Sequence, residues 1–232
     1  MKKHLLFGLA ITTAASLWAA SPSERETIDK AVARLQTATN YSWTANYTMA
    51  NAGGGKVEGK ADKAGQVLLS MQWGDSGTGM EMVLKGTNGA VKRDGEWKSF
   101  ADLAAENGQG QRFLRMLQDF KTPTMQLGSL VKYAKDLKLQ EGIYSAELTP
   151  AGVKELLSFG RSLGGTEVSN PKGSVKFWIK EGALTKYEFH TAGTMTFDGN
   201  DRDLDITTTV ELKDVGATKL NVPAEAAKKL GS

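Results

Sequence analysis

The chain has 232 residues, 40% of them hydrophobic, with 29 basic and 26 acidic side chains and a formal charge of +3 at pH 7. This length allows one domain with a substantial core, and the near balance of charge argues against nucleic acid as the main partner, because nucleic-acid binders usually present a clustered basic face. The absence of cysteine excludes disulfides, cysteine metal sites and a thiol-linked lipid anchor at the mature N-terminus.

The N-terminus has the three-part pattern of an export signal. Lys2 and Lys3 provide a basic start, an uncharged apolar core runs over 5–15, and small residues follow at Ala19 and Ala20. Such a segment is too short to span a bilayer as a helix.

We expect cleavage after Ala20, which divides the chain into a signal peptide at 1–20 and a single mature domain at 21–232. No second apolar segment is long enough to span a bilayer. The mature chain is therefore expected to be periplasmic or secreted, with no transmembrane segment.

Helical spacing is clear at the start of the mature domain, and strand alternation follows it. Ser23 and Glu26 have the spacing of a capping box, and the apolar residues after them predict a helix over 22–37. We expect 51–55 to form a glycine-rich turn, and the polar strand at 57–63 to be a weak edge strand. The strands predicted up to residue 100 lie at 41–49, 57–63, 67–73, 80–84, 90–93 and 96–100, with favoured hairpin turns at Asn88-Gly89 and Asp94-Gly95.

The middle of the chain returns to helical spacing. One amphipathic helix is predicted over 113–120, ended by Pro123, and a second over 127–137. A strand over 143–148 and a helix that begins at Pro150 come next. The remaining elements are a strand at 175–179, a turn at Glu181-Gly182, a long hairpin, and a short helix from Pro223 through Leu230.

The long hairpin over 184–212 is the most informative segment. Apolar and polar residues alternate in both arms, and the connection Asp198-Gly199-Asn200-Asp201 has turn chemistry. Each arm exceeds the usual strand length of roughly five or six residues. Long strands with one apolar face build a large curved sheet, whose apolar face needs a cover.

The fold class follows from how the predicted elements are connected. Most neighbouring strands are joined by short turns, which implies antiparallel pairing. Strands lie before and after a helical insert, so the expected class is α+β, a curved antiparallel sheet with helices gathered on its apolar face.

No motif in the sequence indicates a reaction. His190, the one histidine after signal removal, lies on the polar face of its strand and has no nucleophile elbow to serve, which favours a solvated sheet residue. Asp198, Asp201, Asp203 and Asp205 crowd together, but their run departs from the helix-loop-helix calcium pattern, which favours a polar turn over a metal site. The sequence predicts no enzyme, no cofactor and no metal, with a carboxylate hydrolase as a minor alternative.

The apolar residues suggest a pocket. Met71, Met80 and Met82 lie in facing phases of neighbouring strands, near Trp43 and Trp73. Methionine adapts to irregular shapes, which suits flexible acyl chains, although residue types alone favour an ordinary sheet–helix core. The predicted lining residues, all in the apolar phase of their strands, are Trp43, Met71, Trp73, Met80, Met82, Phe177, Phe189, Met195 and Ile206.

The order of elements resembles the bacterial periplasmic lipoprotein-carrier superfamily, the LolA, LolB and LppX type. The resemblance covers most of the mature chain as a pattern. It is carried by 41–49, the Asp94-Gly95-Glu96-Trp97 turn, 175–181, and 205–223, where Ile206-Thr207-Thr208-Thr209-Val210-Glu211-Leu212 followed by Val222-Pro223 is the nearest match.

The resemblance implies an open half-barrel whose concave apolar face is covered by helices and shelters acyl chains. The absence of a lipobox cysteine rules out the membrane-anchored version of that superfamily. The expected function is a soluble, exported, non-catalytic carrier or binder of lipids or acylated lipoproteins. The alternative is a protein-interaction or envelope-stress sensing module on the same fold, with an envelope protein as partner and no lipid cargo.

Overall fold

A computed structural model describes residues 23–50, 53–74, 78–106, 120–157, 168–197 and 200–230, together with positions 108, 111, 114 and 117. The predicted signal peptide at 1–20 lies outside the described residues.

Eleven strands form one sheet, in which every neighbouring pair is antiparallel. They are β1 (Asn40–Met49), β2 (Gly53–Asp62), β3 (Gln66–Trp73), β4 (Thr78–Lys85), β5 (Asn88–Arg93), β6 (Glu96–Ser99), β7 (Ala134–Gln140), β8 (Ile143–Leu148), β9 (Val168–Lys180), β10 (Ala183–Phe197) and β11 (Asn200–Lys213).

The strand order is β6-β5-β4-β3-β2-β1-β11-β10-β9-β8-β7. β1 pairs with β11 from Ser42–Lys213 to Met49–Ile206, so the first and last strands join the two halves of the sheet. The edge strands β6 and β7 are not neighbours in this order, so the sheet does not close. The predicted α+β class and open antiparallel half-barrel are confirmed.

The helices are α1 (Glu24–Gln36), α2 (Phe100–Ala105), α3 (Pro123–Tyr133), α4 (Pro150–Leu157) and α5 (Ala224–Lys229). α1 packs against β9, β10 and α3, and α4 packs against β9, β10 and α3, so these three helices form one layer over the concave face. No helix in the described part of the chain is long and apolar enough to cross a membrane.

The main core lies between this helical layer and the concave face. A period of two places alternate side chains of each strand on that face, as the sequence predicts. One helical stripe of α1 meets them with Ile28, Ala31, Val32 and Leu35. Buried strand residues include Trp43, Leu69, Met82, Val175, Phe177, Tyr187, Met195 and Val210.

Small residues in β2 make room for aromatic rings from β1. A Cβ atom on Gly59 would lie 2.1 Å from Cζ2 of Trp43, and one on Gly55 would lie 2.3 Å from Cζ of Tyr47. Both glycines occupy concave-facing positions of β2, where Gly59 pairs with Trp43 and Gly55 pairs with Tyr47. The glycines therefore let both rings lie flat across the neighbouring strand.

A second, smaller apolar cluster lies on the convex face. After β11 the chain passes Asn40, whose carbonyl oxygen accepts from Gly216 N at 2.8 Å and whose Oδ1 accepts from Thr218 N at 2.7 Å. It then ends in α5, which packs on β5 and β6. The tail thus covers the convex cluster of Leu68, Val83, Ala90 and Trp97 with Val222, Ala226 and Leu230.

The predicted helix over 127–137 is wrong at its end. α3 stops at Tyr133, and β7 begins at once with Ala134, which pairs with Leu148. A register shift after Lys135 and a positive φ of 46° at Asp136 mark an irregularity of the bulge type. Pairing with β8 outweighs the helical spacing of Ala134 and Leu137, because tertiary contacts override weak local propensity.

Three predictions in the first half of the sheet are also wrong, namely the turn at 51–55, the edge position of the strand at 57–63, and the turn at Asn88-Gly89. Gly53 to Gly55 belong to β2, which lies between β1 and β3 rather than at an edge. Asn88 and Gly89 lie inside β5, and the turn is formed by Gly86, with a φ of 61°, and Thr87. Gly89 is required by packing, because a Cβ there would lie 2.4 Å from Cζ of Phe100.

Other predicted turns are confirmed. Asp94 and Gly95 have φ of 53° and 87°, and Glu181 and Gly182 have φ of 52° and 70°, as two-residue hairpin turns require. In the long hairpin, Asp198 and Gly199 lie outside the described residues, while Asn200 already pairs with Phe197.

Candidate functional site

A cavity of about 510 Å³ lies under the concave face at one end of the sheet, partly open to solvent. We call it the large concave cavity. It is enclosed by the end of α1, the start of α3, the β2–β3 and β4–β5 turns, and the segment before α3. Its walls are mainly apolar and include Leu35, Val67, Leu84, Phe100, Leu117 and Phe120.

The polar side chains that line the large concave cavity are those of Gln36, Tyr41, Asp62, Thr87, Thr122 and Thr124. Thr124 Oγ1 lies 3.2 Å from the Tyr41 hydroxyl and 3.0 Å from Thr122 Oγ1. Asp62 Oδ1 accepts from Gln66 N at 2.9 Å, within the β2–β3 turn. Tyr41, Asp62, Thr122 and Thr124 already bond to one another or to the backbone, while the side chains of Gln36 and Thr87 add two polar groups to the lining. The space is therefore suited to an apolar guest with a small polar end.

A second cavity of about 200 Å³ lies between α3, α4 and strands β10 and β11, and we call it the small concave cavity. Its apolar wall is formed by Phe189, Ile206 and the end of α4. Its polar groups are Lys121, Gln126, Ser129, Glu155, Thr191 and Thr208.

Helix α3 is held to the concave face by a buried tyrosine. The Tyr187 hydroxyl donates to Gln126 Oε1 at 2.6 Å, and the Tyr187 side chain is fully buried. Burial raises the pKa of Tyr187 well above its ordinary value, with a smaller contribution from Tyr41. The phenol is thus a neutral donor that fixes α3 relative to β10.

A carboxylate fixes α3 to α4. Glu155 accepts from the Ser129 hydroxyl and from the Tyr133 hydroxyl, each at 2.7 Å. These two hydrogen bonds, and then the charges of Lys121 and Lys132, lower the pKa of Glu155. Glu155 is therefore ionised and structural, because both of its oxygens are used to join the helices.

Arg25 joins α1 to the C-terminal end of α3. Its guanidinium donates to the carbonyl oxygens of Val131 and, at 2.7 Å, of Ala134. Carbonyls at a helix C-terminus lack partners within the helix and carry partial negative charge, so a cation there is favourable.

We expect Arg25→Met to lower the free energy of unfolding by about 1–3 kcal/mol, because two part-buried carbonyls lose a charged donor. Urea unfolding followed by tryptophan fluorescence measures this. Arg34→Met is the matched control, since Arg34 lies in the same helix but is exposed, and among the described residues it donates only to Glu181 O, at 3.2 Å. Equal losses in the two variants would contradict the role given to Arg25.

The nine predicted lining residues share the concave face but not one cavity. Phe189 and Ile206 line the small concave cavity. Trp73 is 39% exposed at the far end of β3. Trp43 and Met82 are buried and border a cavity of about 420 Å³ that opens on the convex side. The remaining four, which are buried in the main core, are Met71, Met80, Phe177 and Met195.

The large concave cavity is thus lined by neighbours of the predicted residues. Tyr41 precedes Trp43 by two positions, and Val67 and Leu84 share the phases of Met71 and Met82. The alternation that identified the face could also have identified these residues, but it contains no information on which part of the face is left uncovered. Ligand contact by the nine predicted residues stays a prediction.

Of the polar residues singled out by sequence, His190, Asp201, Asp203 and Asp205 lie on the convex face, and Asp198 lies outside the described residues. His190 Nε2 is 3.0 Å from Asp205 Oδ1, and the hydroxyl of Thr194 donates to Asp203 at 2.7 Å. Among the described residues, no three His, Asp or Glu side chains lie close enough together to hold a metal ion. These side chains form the outer surface of the long hairpin, away from both concave cavities.

Comparison with known proteins finds similarity at the level of structure. No model of a protein family matches the sequence, and no curated protein matches it either. A LolA superfamily protein from Nitrosomonas europaea is 10% identical, with 87% of this chain and 96% of that chain covered and a TM-score of 0.33. An S-type phycobiliprotein lyase from Guillardia theta is 5% identical, with 86% and 100% covered and a TM-score of 0.23.

The first of these proteins belongs to the superfamily that the sequence resembles.

Proposed function

We propose that the chain is an exported, non-catalytic carrier or binder of lipids or acylated lipoproteins, whose acyl chain lies in the large concave cavity. The observation that carries the proposal is the apolar, partly open space of about 510 Å³ under the concave face. This volume falls within the range of roughly 300–1,000 Å³ that small-molecule sites occupy.

The energetics are adequate for such a guest. Each methylene transferred from water to an apolar site contributes about 0.8 kcal/mol. Burial of even half of a long acyl chain therefore offsets a substantial part of the cost of association. The polar carboxyl or ester end would lie near Thr122 and Thr124 at the start of α3.

Export is supported by the sequence, and a non-catalytic role is supported by where the polar side chains of the long hairpin lie. The basic start, apolar core and small residues before position 21 are typical of a cleaved signal. The carboxylates of β11 and His190 lie on the convex face, so they are not placed to act on a guest in either concave cavity.

Native mass spectrometry and displacement of a fluorescent long-chain fatty acid by palmitate test the proposal. We expect saturable binding of one acyl chain per protein. Repeated preparations that neither contain nor bind an acyl species would refute it.

A cavity-filling substitution locates the site. We expect Leu84→Trp to weaken fatty-acid binding by about tenfold or more, since the added ring takes the space of two or more methylenes. The matched control is Leu68→Trp, a half-buried leucine of the adjacent strand that faces the convex side and borders the cavity of about 420 Å³. If both variants bind the fatty acid like the wild type, the guest does not lie in the large concave cavity.

One observation favours a second candidate, a protein-interaction or envelope-stress sensing module without lipid cargo. Met82, Phe177 and Met195 are fully buried, so much of the concave face is filled by the protein itself. This candidate predicts that a partner captured from envelope extracts still binds the Leu84→Trp variant. Loss of that partner together with loss of fatty-acid binding would instead favour the carrier.

A further inference from the structure

The rim of the large concave cavity carries an exposed apolar side chain. Met125 lies in the first turn of α3 and lines the cavity, yet it is 58% exposed, more than any other large hydrophobic side chain that the structure describes. Trp73 is 39% exposed at the opposite end of the sheet. A flexible thioether at the entrance of an apolar cavity is suited to contact with an apolar phase.

Two exposed lysines are next in sequence to lining residues of this cavity, Lys63 to Asp62 and Lys85 to Gly86, and we include them in its rim. Lys63 follows Asp62 in the β2–β3 turn, and its backbone N donates to Thr39 O at 2.8 Å, next to the end of α1. Lys85 precedes the β4–β5 turn and pairs across the strands with Gln66. Neither lysine forms an ion pair within the described part of the chain, whereas the Asp62 carboxylate accepts from Gln66 N. The Asp62 carboxylate keeps its negative charge when it accepts this hydrogen bond, so Lys63, Lys85 and Asp62 together leave one net positive charge on the rim.

The other end of the sheet includes residues 201–205, where three carboxylates and the guanidinium of Arg202 give a net charge of −2. Asp201, Asp203 and Asp205 lie at the start of β11 on the convex face, and Asp201 and Asp203 accept from threonine hydroxyls at 2.7 Å. An anionic surface would attract the cavity end and repel this end. The charge distribution thus orients the molecule with its cavity toward such a surface.

From this arrangement we propose that the rim formed by Lys63, Lys85 and Met125 docks on an anionic lipid surface. The two ammonium groups contact lipid phosphates, and Met125 enters the interface at the entrance of the cavity. This inference rests on the proposed function, since docking would let an acyl chain pass between bilayer and cavity without crossing water.

A single environment-sensitive label tests the orientation. The chain contains no cysteine, so Met125→Cys and Trp73→Cys each provide one labelling site in the full exported protein. With vesicles of phosphatidylcholine and phosphatidylglycerol, we expect a blue shift of the label at position 125 and none at position 73. Equal shifts at both positions, or no shift at position 125, would overturn the proposal.

Neutralising the rim tests the electrostatic part. Each lysine near an anionic surface contributes about fivefold in affinity, so Lys63→Gln combined with Lys85→Gln should weaken vesicle binding by about 25-fold. The matched control is Lys138→Gln combined with Lys172→Gln, two exposed lysines of β7 and β9 away from the cavity that form no ion pair with the residues the structure describes. Vesicle binding that is equal on pure phosphatidylcholine, or that falls equally in both variants, contradicts docking by this rim.

Fatty-acid binding separates this proposal from the proposed function. The Lys63→Gln, Lys85→Gln variant should bind a fluorescent fatty acid in solution as tightly as the wild type. A wild-type protein that binds fatty acid but not anionic vesicles refutes docking alone. A wild-type protein that binds vesicles through the rim but no fatty acid refutes the carrier function alone.

Discussion

Gly59→Ala is expected to lower the free energy of unfolding by about 2–3 kcal/mol, although alanine is ordinarily the better residue in a folded chain. The added Cβ would lie 2.1 Å from Cζ2 of Trp43, whereas Cβ atoms in proteins essentially never approach another heavy atom within 3.0 Å. The Trp43 ring is rigid and buried, so relief requires movement of the ring or of β1 and β2. Urea unfolding followed by circular dichroism gives the change.

Two comparisons make this prediction specific. Gly128→Ala lies in α3 where a Cβ meets nothing within 4 Å, and it should stabilise the protein by about 0.5–1 kcal/mol. Trp43→Leu should remove the clash, so the double variant with Gly59→Ala is expected to be more stable than the sum of the single changes predicts. Additive losses would show that the ring does not occupy the space above Gly59.

The sequence allowed the concave face to be predicted but not the position of its cavities. A period of two assigns Tyr41 and Trp43 to the same face, because alternate residues of a strand always share one. It says nothing about where helices end. The open space lies beside Tyr41 because α1 stops at Gln36 and α3 begins at Pro123. Trp43 lies two residues further along β1, away from this end of the sheet, and is buried.

The sequence contains a signal for the convex cluster that the alternation of apolar and polar residues does not capture. Val67-Leu68-Leu69 and Met82-Val83-Leu84 are unbroken apolar runs within alternating strands. An unbroken run is typical of a strand buried on both faces. Leu68 and Val83 are indeed packed on the convex side by the tail, which the sequence pattern alone could not place there.

The end of α3 shows a different limit. The spacing of Leu127, Leu130 and Ala134 fits a helix throughout, yet the chain changes to β7 at Ala134. The open edge of β8 supplies backbone partners for that segment, and Arg25 supplies donors to carbonyls at the helix end. Both causes are distant in sequence, so a local pattern could not reveal them.

The second large effect concerns the bond between helix α3 and the sheet. We expect Tyr187→Phe to lower the free energy of unfolding by about 1–3 kcal/mol, because Gln126 Oε1 loses its donor beside a fully buried ring. Tyr144→Phe is the matched control. Tyr144 is half-buried on the same face, and its hydroxyl forms no hydrogen bond with the residues that the structure describes, so its loss should be below about 0.5 kcal/mol.

The wild-type protein and the Tyr187→Phe variant should respond differently to alkaline pH. The pKa of Tyr187 is raised in the folded state, so above pH 10.0, its ordinary value, the unfolded chain releases a proton that the native protein keeps. Rising pH therefore favours unfolding of the wild type, by up to about 1.4 kcal/mol per pH unit from this group. The Phe variant lacks that group, so the stability difference between the two proteins should be full below pH 10 and shrink above it. Parallel stability curves from pH 8 to pH 11, measured by urea unfolding, would contradict the burial of the Tyr187 phenol beneath α3.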